Sequence, residues 1–141
     1  MKRATQTGRW KGDETMRALI VDDSRFIREY LAGLLRGLGV ETEQAIDGFA
    51  GWERLRPEGA EWLFNFALVD MNMPRMGGLD LVRKLRAEQR YGGVKLMMVT
   101  TEADMVFVTA ALQFGADEFL MKPFSPESLT EKLRLLGVLE S

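Results

Sequence analysis

The chain has 141 residues, of which 46% are hydrophobic, and a formal charge of −2 at neutral pH. This size and composition predict one globular domain with a substantial core. The absence of cysteine and histidine excludes disulfides, the usual Cys and His zinc sites and catalysis by an imidazole of the chain itself, which leaves oxygen ligands and hard metal ions.

The N-terminal residues differ from the remainder in pattern and charge. Residues 1–15 show neither helical nor strand periodicity, so we expect a flexible extension or tag, followed by one domain over residues 16–141. The extension holds four of the 19 basic and two of the 21 acidic residues, and the remainder therefore carries a formal charge of −4. That mildly acidic domain argues against nucleic-acid binding. No apolar run is long enough to span a bilayer or to serve as a secretory signal, so we expect a cytoplasmic protein without membrane contact.

Strand and helix patterns alternate along the domain. The predicted strands are short apolar runs at residues 18–21, 40–45, 66–69, 94–99 and 118–121. The predicted helices carry apolar residues at helical spacing and cover about residues 25–38, 48–56, 79–88, 103–114 and 126–136. Ser24 and Ser125 are expected as N-caps, Pro126 takes a first helical position, and Gly39 and Gly115 end helices.

The central strand ends in a carboxylate. Phe66 to Val69 is too short and too continuously apolar for an amphipathic helix, and it predicts a strand buried on both faces, as in parallel sheets. Asp70 follows at the point where this strand leaves the core, and a loop with Pro and Gly comes next. Ligands of open parallel sheets bind at the carboxyl ends of the strands. A single carboxylate at such a position also commonly caps or turns a loop.

Five strands that alternate with five helices predict an α/β fold with a doubly wound parallel sheet and right-handed crossovers. Four of the strands end in polar residues, which are Asp22 and Asp23, Asp70, Thr100 and Lys122. Each has an ordinary explanation as a turn residue, a helix cap or a lysine that reaches to solvent. Their occurrence together at equivalent strand ends favours a functional site.

Four segments in this order resemble the receiver domain of two-component response regulators, the CheY-like family. They are LIVDDS at 19–24, LVDMNMPRMGG at 68–78, VTTEA at 99–103 and MKPF at 121–124. The resemblance covers Met16 to about Val138. It implies a flavodoxin-like five-stranded sheet with the strand order 2-1-3-4-5, which comes from the family and not from the residues.

The resemblance also implies a reaction. Asp70 would accept a phosphoryl group from a phosphohistidine on a histidine kinase or a histidine phosphotransfer protein. The implied ligands of a Mg²⁺ ion, for which Mn²⁺ can substitute, are Asp22, Asp23, Asp70 and the backbone carbonyl of Asn72. Independently, clustered carboxylates suit Mg²⁺. One divalent ion and Lys122 balance three carboxylates, so that an anionic phosphoryl group can approach.

Further residues resemble the family's switch and its lifetime control. Thr100, whose hydroxyl is expected at the phosphoryl oxygens, and Phe119 match the switch pair, although the family's stand-alone chemotaxis regulator carries a tyrosine in place of Phe119. An ordinary core aromatic is the alternative for Phe119. Asn72 and Glu102 flank the acceptor, which implies a labile acyl phosphate, whereas the bulk of Thr101 would hinder access of water. We expect rapid to intermediate self-dephosphorylation.

The fourth predicted helix contains the apolar run 105–108, whose members cannot all face the sheet at about 100° per residue. In the family, the surface of helix 4, strand 5 and helix 5 is read by a partner or a second receiver. We therefore expect Met105, Val106 or Phe107 to form an exposed apolar patch there, for a target protein or a homodimer. A tilted helix partly covered by loops is the alternative.

The residues together predict a single-domain phosphoacceptor of a histidine-to-aspartate relay that signals by binding proteins and is not a dedicated enzyme. A receiver cut from a larger regulator and a degenerate receiver that only binds proteins are alternatives. A phosphatase of the haloacid-dehalogenase type also uses a strand-end aspartate and Mg²⁺. It requires a second aspartate where this chain has Asn72, and the chain has no obvious cap domain.

Overall fold

A computed structural model describes residues 4–5, 8–9, 15–55, 64–87 and 93–140. Its centre is a five-stranded parallel sheet made of β1 (Arg17–Val21), β2 (Glu41–Ala45), β3 (Phe66–Asp70), β4 (Lys95–Thr101) and β5 (Glu118–Lys122). The strand order is β2-β1-β3-β4-β5. The predicted fold class, a doubly wound flavodoxin-like sheet, is confirmed.

The helices lie between the strands in the chain. They are α1 (Arg25–Gly37), α2 (Gly48–Leu55), α3 (Gly78–Arg86), α4 (Val108–Gln113) and α5 (Pro126–Leu136). Both predicted serine caps are confirmed, because Ser24 Oγ accepts the amide of Ile27 at 3.3 Å and Ser125 forms a capping box with Ser128. The predicted ends of the second and third helices, before Pro57 and at Glu88, lie outside the described residues.

The fourth helix differs from the prediction. A 3₁₀ helix, Glu102–Phe107, precedes α4, so a continuous α-helix from residue 103 is wrong in its first half. In a 3₁₀ helix, residues i and i+3 lie on the same side. This places Met105 and Val108 toward the core, whereas Val106 and Phe107 are 74% and 49% exposed.

Both faces of the sheet are covered. One hydrophobic cluster contains residues of α1 and α5, and the other contains residues of α2, α3 and α4. Every residue of β3 is buried, as expected for a strand packed on both faces. The centre of the sheet therefore holds Asp70, the last residue of β3, in a rigid position.

Two short strands precede this domain. Ala4–Thr5 and Gly8–Arg9 pair antiparallel as a separate sheet, which the sequence pattern does not predict. Most of the proposed extension lies outside the described residues, and the boundary at residue 16 stays a prediction. Within the described ranges, no helix has the length and apolar character needed to cross a bilayer.

Two glycines allow helices to approach the loop after β3. A Cβ at Gly48, the first residue of α2, would lie 2.1 Å from the carbonyl oxygen of Met76. A Cβ at Gly78, the first residue of α3, would lie 2.4 Å from the carbonyl oxygen of Asp70, and the Gly78 amide donates to the carbonyl of Met71 at 3.1 Å. The loop after Asp70 is thus held by backbone contacts that exclude a side chain.

We expect Gly78→Ala to lower the free energy of unfolding by at least about 2 kcal/mol, because the added methyl group overlaps backbone atoms. Gly33→Ala is the matched control, since that exposed position in α1 has no atom within 4 Å of an added Cβ. It should raise the free energy of unfolding by roughly 0.5 to 1 kcal/mol. Chemical denaturation of both variants measures these changes, and equal effects of the two substitutions would contradict the role given to Gly78.

Candidate functional site

The predicted acidic residues come together at the carboxyl ends of β1 and β3. One carboxylate oxygen from each of Asp22, Asp23 and Asp70 lies within 4.8 Å of the others. Asp22 and Asp70 are 1% and 6% exposed, whereas Asp23 is exposed to solvent. Parallel pairing of the two strands causes this meeting, because it brings strand ends that are distant in sequence to the same edge.

Lys122 at the end of β5 joins the two buried carboxylates. Its Nζ atom lies 3.1 Å from Oδ2 of Asp22 and 3.2 Å from Oδ1 of Asp70. The Lys122 side chain is 19% exposed, so solvent screens these ion pairs less than pairs on an open surface. Lys122 is thus placed to hold an anionic group that approaches Asp70.

Contacts to the start of α1 hold Asp22 in place. The amide of Ser24 donates to Oδ1 of Asp22 at 2.8 Å, and Nη1 of Arg28 donates to the Asp22 carbonyl at 2.9 Å. Arg28 also donates through Nε to Oε1 of Gln44 on β2. The sequence interpretation did not include Arg28. Its place one turn beyond the N-cap Ser24 is the signal that would have pointed to it.

The electrostatics of the site favour a cation. Burial and the nearby Asp22 carboxylate raise the pKa of Asp70 to about 6, although Lys122 opposes the rise. Burial alone would lower the pKa of Lys122, but the Asp70 and Asp22 carboxylates outweigh it and the net change is upward. The single ammonium group therefore does not offset the cost of the buried carboxylates.

The donor set fits a hard divalent ion. Three carboxylates with oxygens close together, two of them buried, are the ligand type that Mg²⁺ prefers. Asn72, two residues after Asp70, is exposed in the loop between β3 and α3. Its backbone carbonyl as a fourth ligand stays a prediction.

The residues of the predicted switch lie on β4 and β5. Thr100 is completely buried, and its hydroxyl group donates to the carbonyl of Thr101 at 3.1 Å. Phe119 is half-buried and packs against the cluster that also contacts Met105. Both side chains lie near the core. The position of Phe119 therefore also agrees with the alternative explanation, an ordinary aromatic residue of the core. Their movement as a pair stays a prediction.

Asn72, Thr101 and Glu102, which are expected to tune the lifetime and are called the rim residues below, lie at or just after the ends of β3 and β4. Glu102 is exposed, and the hydroxyl group of half-buried Thr101 donates to Oδ2 of Asp104 at 3.2 Å. Asn72 borders a cavity of about 260 Å³ between the loop after β3 and the 3₁₀ helix. The residues that line this cavity are Met71, Asn72, Gly77, Leu79, Asp80, Asp104 and Phe107.

The three residues predicted for the output face have different environments. Met105 packs against the core, Val106 is exposed, and Phe107 borders the cavity beside Asn72. Among these three, Val106 is the most exposed to a partner. The use of any of them in an interface stays a prediction.

Comparison with known proteins gives consistent results. Residues 18–134 match the family of response regulator receiver domains. Chemotaxis protein CheY1 of Helicobacter pylori is 38% identical over 122 residues, which are 86% of this chain and 96% of that protein. A CheY homolog of Campylobacter jejuni is 39% identical over 120 residues, which are 84% and 89% of the two chains. The structure of the response regulator CheY4 of Vibrio cholerae has a TM-score of 0.76 at 31% identity, and the match covers 87% of this chain and 99% of that chain.

The raised pKa of Asp70 predicts that Asp70→Asn stabilises the metal-free protein at neutral pH. Between the ordinary value of 3.8 and about 6, the folded chain binds more protons at Asp70 than the unfolded chain, so this group lowers the free energy of unfolding as the pH rises. The destabilisation is complete above about pH 6. We expect Asp70→Asn to raise the free energy of unfolding by roughly 1 to 3 kcal/mol at about pH 7.5 and to give little gain near pH 4.

Urea denaturation across this pH range in the presence of a chelator measures the effect. Asp80→Asn, which changes an exposed carboxylate in the first turn of α3, is the control and should give no such pH-dependent gain. A gain for Asp70→Asn that is the same at every pH would contradict the proposed cause.

Proposed function

We propose a function for this chain that proceeds from its family, since the chain belongs to the response regulator receiver domains. Asp70 accepts a phosphoryl group from a phosphohistidine. The donor is a histidine kinase or a histidine phosphotransfer protein. Residues 16–141 form the receiver, and residues 1–15 are an extension outside it. The observation that carries this proposal is the contact of the buried Asp22 and Asp70 with the one ammonium group of Lys122.

The reaction is a displacement at phosphorus. An Oδ atom of Asp70 forms the new P–O bond while the P–N bond to the donor imidazole breaks, and the imidazole leaves with the electron pair of that bond. Lys122, which contacts Asp70 Oδ1, stabilises negative charge on the phosphoryl oxygens, and the Thr100 hydroxyl adds a donor when it turns toward them. Asp22, Asp23, Asp70 and the backbone carbonyl of Asn72 would hold a Mg²⁺ ion, which would supply further charge neutralisation when bound.

The surroundings of Asp70 determine when the acceptor can react. Burial and Asp22 raise the pKa of Asp70, which indicates that the carboxylate is poorly solvated and short of neutralising charge. A group that brings or shares positive charge lowers this cost. The site therefore favours phosphoryl transfer to Asp70 when a second cation joins Lys122 beside Asp22 and Asp70.

The signal would leave the domain through a conformational change. The Thr100 hydroxyl group turns from the Thr101 carbonyl toward the phosphoryl group, and the Phe119 ring moves into the space that opens. This change shifts an existing equilibrium between two conformations. The surface of α4, β5 and α5 then binds a downstream protein or a second receiver. The chain works in the cytoplasm as a signalling protein that loses its phosphoryl group by self-dephosphorylation and is not a dedicated enzyme.

The proposal predicts a phosphoryl adduct on Asp70. Incubation with Mg²⁺ and acetyl phosphate should add the mass of one phosphoryl group to the wild-type chain, measured by intact-mass spectrometry. Asp70→Asn and a chelator should each abolish the adduct. Asp80→Asn is the matched control, because it removes a carboxylate outside the acidic cluster and should leave the adduct in place.

An adduct that persists in Asp70→Asn would place the acceptor elsewhere. If a folded wild-type chain formed no adduct from acetyl phosphate or from a kinase, the chain would be a binding module with the residues of a receiver but not its reaction.

The lifetime of the adduct should depend on the rim residues. Thr101→Ala should speed loss of the phosphoryl group several-fold, because a smaller side chain opens a path for water to the acceptor. Asn72→Ala and Glu102→Ala should change the rate as well, since the resemblance to the family implies that both side chains flank the acceptor. The decay of the adduct mass after removal of acetyl phosphate measures the rate.

Thr109→Ala, which changes an exposed threonine of α4, is the matched control and should decay at the wild-type rate. Unchanged decay in all three rim variants would remove the assigned role in lifetime.

A further inference from the structure

The ring of Phe119 has a cation above it. Nζ of Lys132, in the second turn of α5, lies 4.1 Å from the centroid of the ring. The ring packs against the cluster that contains residues of α3 and α4, whereas α5 packs on the opposite face of the sheet. Since β5 is the edge strand, the lysine side chain reaches the ring around this edge.

A carboxylate holds the lysine in this position. Oε1 of Glu118 lies 3.1 Å from Nζ of Lys132, and the same oxygen accepts the backbone amide of Phe119 at 2.9 Å. The side chains of Lys132 and Glu118 are only 23% and 18% exposed. One carboxylate thus fixes both the backbone of Phe119 and the ammonium group above its ring, in surroundings where charge interactions are less screened.

We propose that Lys132 is a positioning residue of the switch, which holds the Phe119 ring in its present place until phosphorylation. The inference rests on the proposed function, in which Phe119 moves when Asp70 is modified. A phenylalanine ring has no hydroxyl group to anchor it, and the attraction of an ammonium group to the ring face supplies an anchor of a different chemical kind. Glu118 orients that ammonium group.

In this proposal, the observed positions of the Thr100 hydroxyl group and the Phe119 ring are those of the resting, unphosphorylated domain. The hydroxyl group of Thr100 donates to the carbonyl of Thr101, so it is not directed at the acceptor. A contact that exists in the resting arrangement and breaks when the ring moves shifts the equilibrium toward rest. When the ring leaves, the ammonium group of Lys132 on α5 loses this contact and keeps its ion pair with Glu118. This change links the acceptor to the surface that is proposed to bind partners.

The first test uses beryllofluoride, which mimics a phosphoryl group on a carboxylate, with saturating Mg²⁺ and calorimetry. Lys132→Met removes the charge and keeps much of the apolar stem, and it should bind beryllofluoride roughly two- to fivefold more tightly than wild type. Lys132→Arg keeps a cation for the ring and should bind like wild type. Unfolding curves of both variants show whether they remain folded.

The second test changes the ring and not its shape. Incorporation of 4-fluorophenylalanine and then of a trifluorinated phenylalanine at position 119 weakens the attraction of the ring for a cation in steps. Beryllofluoride affinity should rise in the same steps in the wild-type background and should not change in the Lys132→Met background. If Lys132 only supported the fold, without attraction to the ring, fluorination of the ring would not change the affinity in a way that depends on Lys132.

The outcomes distinguish the role of Lys132 from the phosphoacceptor function on which it rests. Equal beryllofluoride affinity for wild type, Lys132→Met and the fluorinated chains would overturn the role of Lys132 and leave the acceptor chemistry intact. Failure of the wild-type chain to bind beryllofluoride at all would overturn the proposed function, and the role of Lys132 with it. Tighter binding by Lys132→Met with no dependence on ring fluorination would also overturn the cation contact as the cause.

Discussion

Two buried carboxylates that share one ammonium group are the constraint on which this structure depends. Asp22 and Asp70 lie in the interior at the ends of neighbouring strands, and Lys122 contacts both. Burial of like charges is unfavourable unless cations or hydrogen bonds stabilise them. The raised pKa of Asp70 shows that one lysine does not fully stabilise the pair. The fold therefore keeps the Asp22 and Asp70 carboxylates with too little positive charge beside them. A metal ion, or an anionic substrate that arrives with its counterion, would stabilise them.

The surrounding structure keeps this unfavourable arrangement in place. β3 is buried along its whole length, and the loop after Asp70 is locked by backbone contacts at Gly48 and Gly78. At the other side, the first turn of α1 holds Asp22 through the Ser24 amide and the Arg28 guanidinium group. The stability gained in the core thus offsets the cost of the site, a trade that functional sites commonly show.

The opposite side of the site is built differently. β5 is an edge strand, and the segment after β4 is a 3₁₀ helix, Glu102–Phe107, none of whose residues is fully buried. Few buried apolar contacts permit local rearrangement at low cost in free energy. The acceptor is therefore rigid where the carboxylates meet. Rearrangement therefore costs less in the 3₁₀ segment than around the buried carboxylates.

The sequence by itself determined the strands, most helices, the serine caps and the polar residues at four of the five strand ends, because these follow from local periodicity and from the chemistry of single residues. It also determined the family, through four short motifs in a fixed order. It did not determine the 3₁₀ segment, since an apolar run of four residues is compatible with more than one helix type. Only the tertiary structure decided that Arg28 holds Asp22, that Phe107 borders a cavity and that Lys132 caps the ring of Phe119. These contacts join residues on different elements, and their geometry depends on how the elements pack, which no local pattern in the chain contains.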